Sequence, residues 1–402
     1  VHASRFGHFL MFGRPDASVP QLVPAQRDLR IDIIRGLALL IIFINHMPGH
    51  VLAGFTPHNF GFSDAADAFV LLAGISATLA YGGLIERKGL RTGTLKILAR
   101  LRTLYLAHLA VFLLVCAIVA TAVTRTQNPL YFEALNVQPF FADLTQGVLR
   151  ALALSYQPNF LDILPLYIVL LALLPVLYLA VRFSPALALA FSAALWQTAS
   201  LTGLNLPNAA GAGWYFNPFA WQFLFCLGIV IGRMAQLGLS APLLRGLDLL
   251  AAGFVVFALL VKTASGNPLG IAALDDWIFH IQIGADKTNL GAGRVLHVMA
   301  LAWLLIRLLP RESGLLRLQA LKPLAAMGRH SLEIFCAGTV LSIIGQIVLV
   351  ETSHALGPQL LVAALGGIIL MGLGMFLTWY QSFKRRAPAG SAPASGLPAQ
   401  LS

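Results

Sequence analysis

The 402 residues are 58% hydrophobic and only 11% charged, with a mean hydropathy of +0.80. Soluble domains carry roughly a quarter charged residues, so this composition excludes one and calls for a bundle of transmembrane helices. The net charge of +11 is not a nucleic-acid footprint, because the basic residues gather in short loops beside apolar spans, where they carry topology information.

In residues 1–26 the apolar run HFLMF is too short for a signal-peptide core, and Pro15, Pro20 and Pro24 interrupt any helix after it. A poorly ordered cytoplasmic arm is expected there, and Val1 is compatible with a trimmed or alternative start. Residues 27–386 read as one integral membrane domain, an all-α polytopic bundle of about ten spans. The spans fall near 36–55, 65–85, 103–124, 161–181, 186–204, 218–237, 246–264, 294–310, 331–350 and 359–382. An even number puts both termini on one side. Basic residues crowd segments 27–35, 87–102, 307–329 and 384–386, with Arg182, Arg233 and Arg245 on the same side. The opposite side holds Arg125, Arg150, Lys287 and Arg294, with Lys262 near a span end, which indicates N-in and C-in. The tail 387–402, APAGSAPASGLPAQLS, is low-complexity and expected to be disordered.

The most informative stretch is DIIRGLALLIIFINHMPGHVLAGFTPHNFGFSDAADAFVLLAGIS, residues 32–76. On a helix Arg35 and His46 fall within about 20° of one face and about 16 Å apart, close to half of the ~30 Å hydrocarbon thickness. Asp32, one turn before Arg35, is placed to pair with it. Ionisable groups at such depth point to a functional pathway inside the bundle. The competing reading makes Arg35 a positive-inside anchor and His46 a packed histidine bonded to a neighbouring helix. Asp64 and Asp67 share one face of the next span. Ser63 is a plausible N-cap, which would make Asp64 an ordinary first-turn acid, an account that serves the deeper Asp67 less well.

The D-x-x-R-G start and the Arg-x10-His spacing resemble the membrane acyltransferase-3 superfamily, in which the histidine is catalytic. Four further blocks in order narrow the likeness: GFSDAADAFVLLAG, NFLDILPLYIVLLALLP, WYFNPFAWQFLFCLG and GRHSLEIF. Together they resemble the OpgC family, bacterial inner-membrane enzymes that succinylate osmoregulated periplasmic glucans, over residues from about 27 to 383. The resemblance implies acyl transfer from cytoplasmic acyl-coenzyme A, with succinyl-coenzyme A as co-substrate, no bound cofactor, and a periplasmic glucan or other envelope polysaccharide as acceptor.

Such a reaction needs a base for the sugar hydroxyl, a stabilised oxyanion and a geometry that holds donor and acceptor together. The family pattern makes His46 the base, with Asp64 or Asp67 to orient it and His58, on the intervening loop, as an alternative base. Arg35, beside Asp32, could take the coenzyme A phosphates as a bidentate donor. Arg329, His330 and Glu333 could line the donor mouth, although a helix start capped by Ser331 explains them equally. A succinyl donor also needs a cation for its free carboxylate, for which Arg294 and Arg150 are candidates. On the acceptor side stand Trp214, Tyr215, Trp277 and Asp162, in loops rich in asparagine and aromatic residues. Sugar stacking and an interfacial aromatic belt both suit these rings, and an acid in a helix's first turn is itself ordinary.

His46, His50 and His58 lack the Cys or carboxylate partners of a metal site, and Cys116, Cys226 and Cys336 lie in apolar spans without disulfide spacing. Two other classes stay open. A proton-coupled transporter or flippase also buries Asp, His and Arg, but no inverted repeat or pair of broken helices is visible. A non-catalytic glycan- or partner-binding protein is disfavoured by the intact Arg-x10-His spacing. Oligomeric state is open, since Gly366-Gly367 on the last span suits packing within or between chains.

Overall fold

Backbone amides in lipid must find partners within their own segment, which favours helices. In the computed structural model, which describes residues 27–209, 211–239, 244–264 and 285–386, the described chain is helical apart from loops and one antiparallel bridge, Pro207 with Gly213. Trp277, and Asp275 and Asp276 beside it, lie outside the described residues, as do the arm 1–26 and the tail 387–402.

Helix α1 (Leu29–Asn45) is capped by Asp28, whose side chain accepts the Arg30 amide. It ends well before residue 55, the expected limit, and His46 is its C-cap rather than a mid-span residue. The cause is local. Pro48 disfavours helical geometry at Met47, and Gly49 turns left-handed at φ 79°. Short 3₁₀ turns at Val51–Phe55 and Pro57–Asn59 come next.

Helix α2 (Ala65–Ala77) passes through a π turn (Thr78–Gly82) into α3 (Gly83–Thr126). The run from Ala65 to Thr126 therefore holds two expected spans, broken at Gly89 (φ 82°, ψ 162°). Residues 125–160, expected to carry an amphipathic or re-entrant helix, form three short ones: α4 (Leu130–Ala134), α5 (Gln138–Ala142) and α6 (Leu144–Leu152). Then come α7 (Ile163–Phe183), α8 (Pro185–Thr202), α9 (Pro218–Gln236), α10 (Arg245–Ala264), α11 (Ala292–Leu308), α12 (Lys322–Arg329), α13 (Ser331–Glu351) and α14 (Leu356–Arg386).

Among the described residues six helical runs are long and apolar enough to cross a membrane: Ala65–Thr126, α7, α9, α10, α13 and most of α14. Helices α8 and α11, of 18 and 17 residues, coincide with expected spans, and α1, of 17 residues, overlaps only the first half of its own; all three are shorter or less apolar than those runs. Apolar side chains such as Leu106, Val176, Phe191 and Leu249 point outward, as on a lipid-facing surface.

Two close crossings set the centre. A Cβ on Gly36 of α1 would fall on the Leu324 carbonyl of α12, and one on Gly328 of α12 would fall on the Asp32 carbonyl of α1. Gly74 of α2 and Gly228 of α9 meet the same way, against the carbonyls of Phe225 and Leu71. Small residues let backbones approach this closely, and dispersion then holds the helices where lipid supplies no hydrophobic drive. The large side chains of Phe43, Tyr178, Trp221 and Phe225 fill the space between.

Candidate active site

Two cavities lie along α1. The larger, about 1170 Å³, is lined by His46 and Asn45 at the end of α1, by His58 and Asp64, by residues 155–160 and Asp162, by the 205–216 loop, and by Lys287. The smaller, about 210 Å³, is lined by Arg35 of α1, Ser76 of α2, Tyr81 of the π turn, Arg100 of α3, Tyr167 of α7 and Arg329 of α12. Among the described residues no acid lines the smaller cavity, whose charged lining side chains are Arg35, Arg100 and Arg329.

His46 stands where α1 stops. Its ring packs on Phe160 with centroids 4.5 Å apart, and its Nδ1 is buried without a hydrogen-bond partner among the described residues. His50 is committed elsewhere: its Nδ1 accepts the Leu52 amide at 3.1 Å, and its Nε2 meets the Gln359 carbonyl at 2.9 Å. His58 is exposed on the loop, where partial desolvation of its ring, the neighbouring Lys262 and other cations hold its imidazole below the ordinary histidine value.

Among the described residues no hydrogen bond joins Asp64 or Asp67 to His46. Asp64, not Ser63, is the N-cap of α2, accepting the Ala66 amide at 2.8 Å, while Asp67 accepts the Asp64 amide at 2.8 Å to complete a capping box. Both carboxylates also receive Arg294, buried in α11, and Asp64 receives Lys287 at 2.8 Å. The expected orienting acid is thus occupied by backbone amides and two cations. Ser63 meets Nδ1 of His297 through its hydroxyl at 2.7 Å and its amide at 3.3 Å. Burial would raise the Asp64 carboxyl, but Lys287 and Arg294 outweigh it and hold Asp64 below the usual carboxylate range. Lys287, in turn, is raised by Asp64 against its own desolvation.

The expected Asp32–Arg35 pair is replaced by others. Asp32 accepts Arg27 at 2.6 Å and has Arg329 at 3.8 Å, while Arg35 reaches across to α2, donating to the Leu72 carbonyl (3.1 Å) and the Ser76 hydroxyl (2.7 Å). Arg35 and Arg329 share the smaller cavity, but His330 does not line it. His330 is buried at the junction of α12 and α13, its Nε2 unpartnered among the described residues, and it, not Ser331, occupies the N-cap position of α13. Arg294 is consumed by the two aspartates, and Arg150 is exposed and donates to the Ala209 carbonyl, so neither candidate cation lines either cavity.

Trp214, Tyr215 and Asp162 all line the larger cavity. Asp162 has no side-chain capping bond at the head of α7, and burial, opposed in part by Lys287, pushes its carboxyl up to about 6. Trp214 is buried, held by its amide to the Leu206 carbonyl (2.9 Å) and by Asn205 donating to its own carbonyl (2.8 Å). Asn217 ties this loop to the next, donating through its amide to the Thr288 carbonyl and through its side chain to Asn289. Trp221 donates to the Lys287 carbonyl from below.

Lys287 had no assigned role on sequence grounds, yet among the described residues it is the lysine or arginine that lines the larger cavity, set over Tyr215 and Phe216 at 5.9 and 5.5 Å. Its position in DKTN, next to Asp286 whose carboxylate organises the turn, was the available signal. Arg100, Ser76, Tyr81 and Tyr167 were not anticipated either, because only the three-dimensional crossing of α2, α3 and α7 brings them beside Arg35. Among the described residues the larger cavity also collects six asparagines, Asn45, Asn59, Asn136, Asn159, Asn205 and Asn208, which with its aromatic rings make a surface of amides and π faces.

No curated protein and no solved structure matches the chain. Residues 27–382 match the family described as OpgC protein, which is associated with transferase chemistry on glucans. With that match spanning all the described helices but the last few residues of α14, this all-helical membrane protein belongs to the OpgC family.

Proposed function

We propose that this protein is a membrane O-acyltransferase of the bacterial inner membrane that moves an acyl group, succinyl by the family likeness, from cytoplasmic acyl-coenzyme A to a hydroxyl of a periplasmic glucan. One observation carries the reading: α1 presents Arg35 to a small cationic cavity and His46 to a large amide- and aromatic-lined one. With N-in topology the cationic cavity faces the cytoplasm, where Arg35, Arg100 and Arg329 suit coenzyme A phosphates. The larger cavity faces the periplasm, where Trp214, Tyr215 and the asparagines suit a sugar chain.

In the proposed step the glucan hydroxyl oxygen attacks the thioester carbonyl while the His46 imidazole takes its proton. The new C–O bond forms, the C–S bond breaks, and the proton passes to the departing thiolate, giving glucan ester and coenzyme A thiol. Lys287 lines the same cavity as His46 and would supply positive potential for the tetrahedral oxyanion. His46 is preferred to His58 because its ring is fixed against Phe160 in the wall of the larger cavity, whereas His58 sits exposed on the loop.

The test measures coenzyme A release by purified protein in nanodiscs, offered succinyl- or acetyl-coenzyme A with and without glucan. Glucan-dependent release is expected from one donor, with His46→Ala lowering it about 10²–10⁴-fold while the protein stays folded. Release that survives in His46→Ala but not in His58→Ala moves the base to His58. Absence of release with every donor and acceptor overturns the reading in favour of transport, measured next as flux in proteoliposomes.

A further inference from the structure

The two cavities share two lining residues, Phe335 of α13 and Ile163 of α7. Two helices running past this point change sides there. On α1, Arg35 faces the small cavity and His46 the large one; along α7, Tyr167 faces the small cavity and Asp162, at its head, the large one. Phe335 and Ile163 are themselves buried, at 3% and 6% exposure, so the wall between the cavities is apolar and thin. Donor phosphates held by Arg35 and a hydroxyl activated by His46 therefore lie on opposite sides of two side chains.

We infer that Phe335 and Ile163 form a partition whose aperture selects the acyl group, making them specificity-determining residues. The inference rests on the acyltransferase reading above. A phenyl ring can swing by side-chain rotation without moving its helix. The slot it opens beside Ile163 passes a slender acyl chain attached to its thioester while the coenzyme's head stays with the arginines. An apolar, close-packed gate also keeps water away from the thioester until the acceptor is in place. Pockets of this kind discriminate by chain length, because one methylene more or less in a tight apolar passage changes the rate about 10–200-fold.

The experiment compares kcat/KM for acetyl-, succinyl- and glutaryl-coenzyme A, with glucan, in wild type, Phe335→Ala, Phe335→Leu, Phe335→Trp and Ile163→Ala. Ratios between donors within one preparation are unaffected by a partly misfolded fraction, and Phe335→Leu keeps most of the packing. Phe335→Ala and Ile163→Ala are expected to raise the glutaryl-to-succinyl ratio at least about tenfold, and Phe335→Trp to lower succinyl relative to acetyl. Donor ratios that stay at wild-type values in the active variants overturn the inference and leave the acyltransferase reading standing. Wild type that releases no coenzyme A from any donor overturns both.

Discussion

Arg294 answers two buried carboxylates at once. Asp64 and Asp67 close a capping box at the head of α2, and α11 brings the guanidinium that neutralises them. Removing the cation leaves two acids without their main shared partner in a buried site. Arg294→Met is therefore expected to cost about 3–5 kcal/mol, read as a fall in thermal unfolding temperature in detergent. Lys287→Ala should keep the fold, because the side chain is partly exposed, while depressing turnover through the lost oxyanion potential. The Asp64 carboxyl lies below its ordinary value, so its contribution to stability is present above that value and lost as pH falls through the depressed one. The Asp64 contribution to the unfolding temperature should stay level across the neutral range and be lost only in acid, as the difference between wild type and Asp64→Asn across a pH series would show. The two acids were legible as a face-sharing pair. Their purpose was not, because the partner lies 227 residues along the chain from Asp67 and no local period connects them.

At the scale of elements, the crossing of α1 with α12 governs where Arg35 and Arg329 meet. Gly36 and Gly328 each lie against a carbonyl of the other helix, and a side chain at either must push the backbones apart. Gly36→Val and Gly328→Val are expected to destabilise by at least about 1–3 kcal/mol, whereas Gly357→Ala, which has open space around it, should be neutral in the same thermal assay. The glycine of D-x-x-R-G was visible as a motif, and the structure supplies its steric reason. The end of α1 was misjudged because the apolar run Val51–Phe55 extends the hydropathy beyond Pro48-Gly49, and punctuation outweighed periodicity there. The π turn Thr78–Gly82 left no trace in the sequence. It is recorded instead in tertiary contacts: Gln236 donates to the Thr78 carbonyl at 2.8 Å, and Gly82 lies under the Tyr178 ring.

Across the whole molecule, the three arginines of the smaller cavity, Arg35, Arg100 and Arg329, are among the basic residues from which the N-in orientation is expected. The orientation is open to measurement. In a Cys336→Ser background, Phe55→Cys should react with a membrane-impermeant maleimide on intact cells, and Arg91→Cys only after permeabilisation; the reverse pattern would invert the topology. The six described runs long and apolar enough to cross a membrane were legible because lipid demands long apolar helices. The cavities were not, since each draws side chains from helices far apart in sequence and their number and shape depend on crossing angles that hydropathy does not encode.

The partition at Phe335 and Ile163 has an electrical corollary. In the proposed reaction coenzyme A would enter and leave on one side and the glucan stay on the other, so only the acyl group would change compartment. With succinyl as that group, each turnover removes one carboxylate from the inner compartment and adds one to the outer, while the thiol and hydroxyl protons balance. The reaction is then electrogenic, and an inside-negative potential of 100 mV contributes about 2.3 kcal/mol toward product. A neutral acyl group would move no charge, leaving its transfer equilibrium independent of voltage. Charge on the cargo thus makes membrane energisation a second driving force beside the thioester.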